Sequence, residues 1–266
     1  MIVTLNNAYA APVSKLRDPF PSPPTLPAVS NESPDIGTPD ILFSKSQEKS
    51  WLYYLAEIAL RRTLDRALPL IYLPEASPVW MEYIEHILET SSQIDEQLSA
   101  WYDHLPPAIR PSVNPETPPS HQLAFFTQCR FLGARASILL PFLYYTLHNE
   151  SHPTSEVILS RANEYLHLAR GLIIHPSKHK RHGGLWFVLR GIWSLSIVIL
   201  ATVHARIDGL HTPADWPELM RFSLQMLRIW GSEAADIYLM YETLVRAFLT
   251  ICREVGISAE VAELPR

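Results

Sequence analysis

From Ser44 onward, apolar residues recur at alternating steps of three and four, the period of amphipathic helices, and no stretch alternates long enough for a strand. Ser44 and Gln47 have capping-box spacing, and Trp51, Leu55, Ile58 and Ala59 follow on one face of a first helix. Pro69 and Pro74 are expected to stop it, with Arg61, Arg62 and Arg66 near its negative pole. A second helix, 78–105, carries the cleanest seam: Trp80, Ile84, Ile87, Ser91, Ile94, Leu98, Trp101 and Leu105. Pro106 and Pro107 end it, and a proline-rich loop runs to Ser120. A third helix spans 121–148 with a kink expected at Pro141, and a fourth spans 154–174. The fifth, 185–206, is apolar nearly all round and is expected at the centre of the domain. Thr212, Pro213 and Asp215 have the order of a helix start, which places a sixth helix at 213–230. The seventh runs to Glu254, with Gly256 placed to close it. The prediction is an all-α fold of about seven helices in one irregular bundle over residues 44–256. A proline-rich tail or linker, 1–43, precedes it, and a short tail, 257–266, follows.

Composition narrows the function more than the fold. The tail's eight prolines, with the run Pro19-Phe20-Pro21-Ser22-Pro23-Pro24, exclude a helix or central strand there; a linker is the plain reading, a ligand for an aromatic groove the sharper one. Ala8-Tyr9-Ala10 resembles a signal-peptidase site, but no cation precedes it and the apolar stretch before it is short. The uncharged run Gly191–Ala205 has 15 residues against the roughly 20 a membrane span needs, so it reads as a core helix and no membrane partner is expected. With 22 Lys+Arg against 27 Asp+Glu, the net charge of −5 gives no electrostatic footprint for nucleic acid. Two cysteines, Cys129 and Cys252, exclude a disulfide framework and a four-cysteine zinc site, and both read as buried apolar residues.

Candidate chemistry is sparse. His175, His179 and His182 have helical spacing, but Pro176 and Gly183-Gly184 flank them, no carboxylate lies among them, and Lys178, Lys180 and Arg181 would repel a divalent cation. The same basic run, Lys178, Lys180 and Arg181, is a candidate nuclear-import signal. No nucleophile elbow, zincin motif, Walker loop or dinucleotide fingerprint occurs. Asp95-Glu96 and Glu233 with Asp236 could be paired carboxylates, although helix surfaces carry such pairs routinely. The reading therefore names no catalytic residue, no metal and no cofactor. Trp186, Arg190 and Trp193 share one helical face and form a candidate effector pocket for an anionic or aromatic small molecule. The competing arrangement pairs a buried Arg190 with a carboxylate such as Glu164 or Glu242.

Five stretches in order resemble the C-terminal half of the fungal-specific transcription factor domain, the regulatory region of fungal Zn(II)2Cys6 activators. They are Ser50–Arg62; Asp95–Ile109, with its W-x-x-x-L-P ending at Trp101, Leu105 and Pro106; Pro141-Phe142-Leu143-Tyr144; Arg181–Trp186; and Trp216–Glu254. The chain departs from that pattern at Leu140, where relatives carry Arg, and at Asp65, where they carry Asn. No stretch of this sequence resembles the first half of the regulatory region, and two cysteines cannot form the six-cysteine cluster. The resemblance implies a regulatory, effector-sensing module that acts on transcription, for a metabolic or secondary-metabolite gene set, in the nucleus, or otherwise the cytoplasm. Its expected partner is a full-length zinc-cluster relative or a co-regulator, with a small-molecule effector and no direct DNA contact. The alternatives are a scaffold reassigned to small-molecule binding or biosynthetic catalysis, and a truncated or decayed transcription factor.

Overall fold

A computed structural model describes residues 39–72, 83–112, 114, 117, 119, 121–149, 154–174 and 184–257, with side chains from residue 47 onward. Among these the fold is all-α: α1 (Pro39–Ile71), α2 (Ile84–Asp103), α3 (Gln122–His148), α4 (Glu156–Ile174), α5 (Leu185–Ala205), α6 (Trp216–Gly231) and α7 (Ala235–Glu254). The expected run Lys178, Lys180 and Arg181, the three histidines around it, Trp80 and the tail before Pro39 lie outside the described residues.

Helix α1 starts at Pro39, five residues before the Ser44–Gln47 box, so residues 39–43 belong to a helix and not to the tail. Proline is tolerated in a first turn because the amide it lacks would have no intrahelical acceptor there. Pro69 likewise sits inside the last turn without stopping the helix, and Tyr72 N–H closes onto the Leu68 carbonyl at 2.8 Å. The arginines expected at the helix pole are therefore too early for it. Arg61 instead donates to Glu57 at 2.8 Å, and Arg130 of α3 reaches the same carboxylate at 3.2 Å.

The α2 seam is buried as its spacing requires: Ile84, Ile87, Ser91, Ile94 and Leu98 face inward, and the Ser91 hydroxyl donates to the Leu88 carbonyl at 2.9 Å. The W-x-x-x-L-P element also has a packing role. Trp101 donates its indole N–H to the Ala56 carbonyl at 3.1 Å, while Leu105 and Ile109 make a small core with Ala56. Arg110 folds back and donates to the Leu105 carbonyl at 2.9 Å, occupying an acceptor the ended helix leaves open.

The central element is α3, not α5. Helix α3 packs against α1, α2, α4 and α5 and buries Phe131, Leu132, Ile138, Leu139, Phe142 and Leu143. Leu140 is also buried there, where an arginine would need a partner. Helix α5 packs mainly on α6 and α7, and its other face, with Phe187, Val198 and Ala201, stays partly or fully exposed. All-round hydrophobicity says that a helix can be buried on every side; how extensively its neighbours lie against it decides whether it is.

Helix α3 runs unbroken through Pro141. Proline cannot supply the amide that would bond the Ser137 carbonyl four residues earlier. The Tyr72 hydroxyl, from the end of α1, donates to that carbonyl in its place. His121 caps the start of α3, its Nδ1 accepting from Ala124 N–H at 3.2 Å. Helices α2, α3 and α4 are cross-linked by Arg135, which donates to Asp95 at 2.9 Å and to Glu164 at 2.6 Å; Arg161 approaches Glu164 at 3.4 Å.

Helix α6 starts at Trp216, three residues later than Thr212 and Pro213 suggest. Asp215 stands at the cap position but makes no side-chain cap bond, because Arg170 of α4 holds its carboxylate at 2.8 Å. Helix α7 ends as its glycine predicts. Gly256 has φ +73°, Ile257 N–H donates to the Cys252 carbonyl at 2.9 Å, and Gly256 N–H donates to Arg253 at 3.3 Å. That pair of bonds is a Schellman closure.

Candidate functional site

The N-terminal end of α5 carries the candidate effector residues. Steps of four and three put Trp186, Arg190 and Trp193 on one face, and the structure brings the first two into contact. The Arg190 guanidinium lies 4.4 Å from the centroid of the Trp186 ring, a cation–π stack. Trp186 donates its only N–H to Asp236 of α7 at 2.7 Å, so the indole serves the α5–α7 junction. Neither expected carboxylate holds Arg190: Glu164 belongs to Arg135 and Arg161, and Glu242 interacts with Tyr238. The hydrogen bond and charge of Glu242 push the Tyr238 hydroxyl above its ordinary pKa. Trp193 is half-buried and its indole N–H is buried without an acceptor. Around this end Trp186, Phe187, Ile229, Tyr238 and Leu239 are all exposed. The geometry is an aromatic–cationic surface rather than an enclosed pocket.

A cleft of about 310 Å³ lies at the other end of α5, about 30 Å away along the helix axis at 1.5 Å per residue. Polar and apolar surface line it about equally: Val203, Ile207, Leu210, Pro213 and Trp216 stand beside Thr202, Thr212 and Arg206. The Trp216 ring meets Phe248 edge-on with centroids 5.9 Å apart, which fixes one wall against the core. The loop forming the opposite wall is held to α4 at two places. Asn163 donates to the Gly209 carbonyl at 2.9 Å and accepts from His211 N–H at 2.6 Å, and Arg170 grips Asp215.

Arg206 ends α5 in the left-handed region, with φ +51°, the one non-glycine residue among those described with positive φ. Glycine is the usual occupant of such a position, because a Cβ there crowds the carbonyl. The Arg206 Nη2 donates to the Glu254 carbonyl at 2.8 Å, and His204 Nδ1 lies 2.7 Å from the Glu254 carboxylate. The ends of α5 and α7 are thus tied together beside the cleft.

Cys252 is buried as its apolar surroundings suggest, whereas Cys129 keeps part of its surface exposed. Burial pushes the Cys129 thiol up to about 12 and raises that of Cys252 as well. Burial also raises the Tyr165 hydroxyl. Among the described residues no three His, Cys, Asp or Glu side chains converge on a point that could hold a metal ion. The supposed carboxylate pairs are separately engaged, Asp95 by Arg135 and Asp236 by Trp186. Helices α3 and α5 are long and apolar enough, by length and composition, to cross a bilayer.

Sequence reasoning missed the cleft, and no motif marks it: its lining comes from the end of one helix, a loop and the start of the next. It also missed buried Gln128, whose side-chain amide donates to the carbonyls of Ser112 at 3.0 Å and Asn114 at 3.1 Å, holding the proline-rich loop against α3. No family model, curated protein or solved structure matches the chain.

Proposed function

We propose that this chain is a regulatory module of transcription that senses an effector and works through a protein partner without touching DNA itself. The observation that carries the reading is the order of five sequence elements, from Ser50–Arg62 to Trp216–Glu254, that resemble the regulatory half of fungal zinc-cluster activators. The all-α architecture is compatible with such a module, and the exposed side chains of Trp186, Phe187, Tyr238 and Leu239 offer a surface on which a partner could settle. A chain with two cysteines cannot itself build a six-cysteine zinc cluster, and its net charge of −5 supplies no phosphate-binding field. The partner is a full-length zinc-cluster relative or a co-regulator, and the site of action is the nucleus. Affinity capture from nuclear extract, with the full chain as bait, tests this. Recovery of a zinc-cluster transcription factor or co-regulator supports the reading, and recovery of neither argues against it.

A second reading, small-molecule binding on a reassigned scaffold, has one observation in its favour: the cleft between Val203 and Trp216. Its opening to solvent and the lack of a perturbed acid–base pair in it favour binding over catalysis.

A further inference from the structure

We infer that the open face of α5 is the contact surface of a weak homodimer: α5 packs antiparallel against α5 of a second copy, and Arg190 pairs with the partner's Glu254. The pairing goes beyond the function proposed above and does not depend on it.

Helix α5 carries no Asp, Glu, Lys or Arg from Gly191 to Ala205. Leu189, Ile192, Ser196, Ile199 and Val203 turn one face to the core. On the opposite face Phe187, Gly191, Ser194, Val198, Ala201 and Ala205 recur at steps of four and three, and none of them is buried. A helix face left to water ordinarily carries polar and charged residues, so an uncharged face about 27 Å long calls for a cover.

That face is complementary to a second copy of itself in one direction only. About a midpoint at residue 196, Phe187 and Ala205 lie nine positions out, Gly191 and Ala201 five, and Ser194 and Val198 two. An antiparallel two-fold pair therefore sets Phe187 on Ala205 and Val198 on Ser194, a bulky side chain against a small one each time. Gly191 and Ala201 meet between them and let the helix axes approach to about 8 Å. A parallel pair would instead stack Phe187 on Phe187 and bring Arg190 onto Arg190.

Charge supports the antiparallel direction. Arg190 has no ion pair among the described residues, and its guanidinium lies over Trp186. It sits on the edge of α5 next to α7, because Trp186 bonds Asp236 of α7. On the same edge, at the other end of the face, His204 holds the Glu254 carboxylate at 2.7 Å, and that side chain is 41% exposed. A two-fold axis across the helices keeps this edge on the same side in both copies. Arg190 then arrives level with the partner's Glu254 to within two positions, about 3 Å along the axis. A carboxylate at the negative end of a helix is stabilised by a cation beside it. Two strips about 27 Å long and about 10 Å wide bury roughly 500 Å² together, under half of what a stable complex needs. The dimer is accordingly weak, with a dissociation constant of about 100 µM.

Sedimentation velocity of the full chain from about 5 to about 500 µM tests the pairing, with the expected passage from monomer to mostly dimer. Ala201→Arg, at an exposed position, should keep the circular dichroism spectrum and weaken self-association about tenfold or more. Arg190→Glu and Glu254→Arg should each weaken it about tenfold, because each homodimer then meets like charges twice. Their equimolar mixture restores both opposite-charge pairs and should dimerise about as well as the unsubstituted chain. A role of either residue within one chain cannot produce that recovery. A chain monomeric throughout, as it would be if a lipid surface or another protein covered α5, would overturn the proposal. So would self-association untouched by Ala201→Arg, or a mixture no heavier than its components.

Discussion

Replacing Tyr72 by Phe removes one oxygen from the junction of α1 and α3. The Tyr72 hydroxyl donates to the Ser137 carbonyl, the acceptor left without a helical donor because Pro141 follows four residues later. Stranding that carbonyl in a part-buried place should destabilise the protein by about 1–2 kcal/mol. The structure makes a sharper statement about why. In Pro141→Ala the backbone N–H returns and the helix satisfies Ser137 internally. Tyr72→Phe in that background should then cost only about 0.5 kcal/mol, a coupling of about 1 kcal/mol. Pro141 is itself buried, so Pro141→Ala mixes a gained hydrogen bond with lost packing, and its own sign decides nothing. The double-mutant cycle isolates the coupling. Urea unfolding of the four proteins, followed by far-ultraviolet circular dichroism, gives the free energies. Equal costs of Tyr72→Phe in both backgrounds would refute the substitution of a tyrosine hydroxyl for the missing amide.

Three further perturbations follow from the same geometry. Asp95→Asn removes the carboxylate from the part-buried Arg135 network and should cost about 1–2 kcal/mol, whereas Glu218→Gln, at an exposed pair with Arg221, should change the urea midpoint little. Gly256→Ala meets no neighbour within 4 Å, so its expected loss of about 1 kcal/mol comes from the backbone alone, at φ +73°. At neutral pH a thiol reagent should leave the buried Cys252 of the native protein unreacted and modify it only on unfolding. The Cys129 thiol has a folded-state value raised from 9.0 to about 12, so its contribution is fully present below pH 9 and is lost as pH rises toward 12. Alkaline unfolding curves of Cys129→Ala should lack that component.

Much of the helical plan was legible in residue spacing, because a seam such as Ile84, Ile87, Ser91, Ile94 and Leu98 has only one way to be buried. Local turn chemistry was legible too, as Gly256 shows. What failed were features settled by distant residues. Asp215 looked like part of a helix start until Arg170, 45 residues earlier, took its carboxylate. Asp95 looked like half of a surface carboxylate pair, yet its partner Arg135 lies 40 residues on. The apolarity of α5 suggested a central position, but the covering of a helix depends on how extensively its neighbours lie against it, and those of α3 cover it more fully. For the candidate site, helical spacing foretold the meeting of Trp186 with Arg190 but not the hydrogen bond that commits Trp186 to Asp236. The cleft had no sequence signal because Arg206 acquires its meaning from a left-handed backbone and from Glu254, 48 residues away.

In the function proposed above, the chain changes transcription through a partner and does not read DNA. The most direct measurement recruits the full chain to a reporter promoter through a fused, unrelated DNA-binding domain, in fungal cells, beside the same chain without the fusion. Reporter transcription should change only when the chain is tethered. An unchanged reporter with the tethered chain present at the promoter, or occupancy of the promoter by the untethered chain, would contradict it.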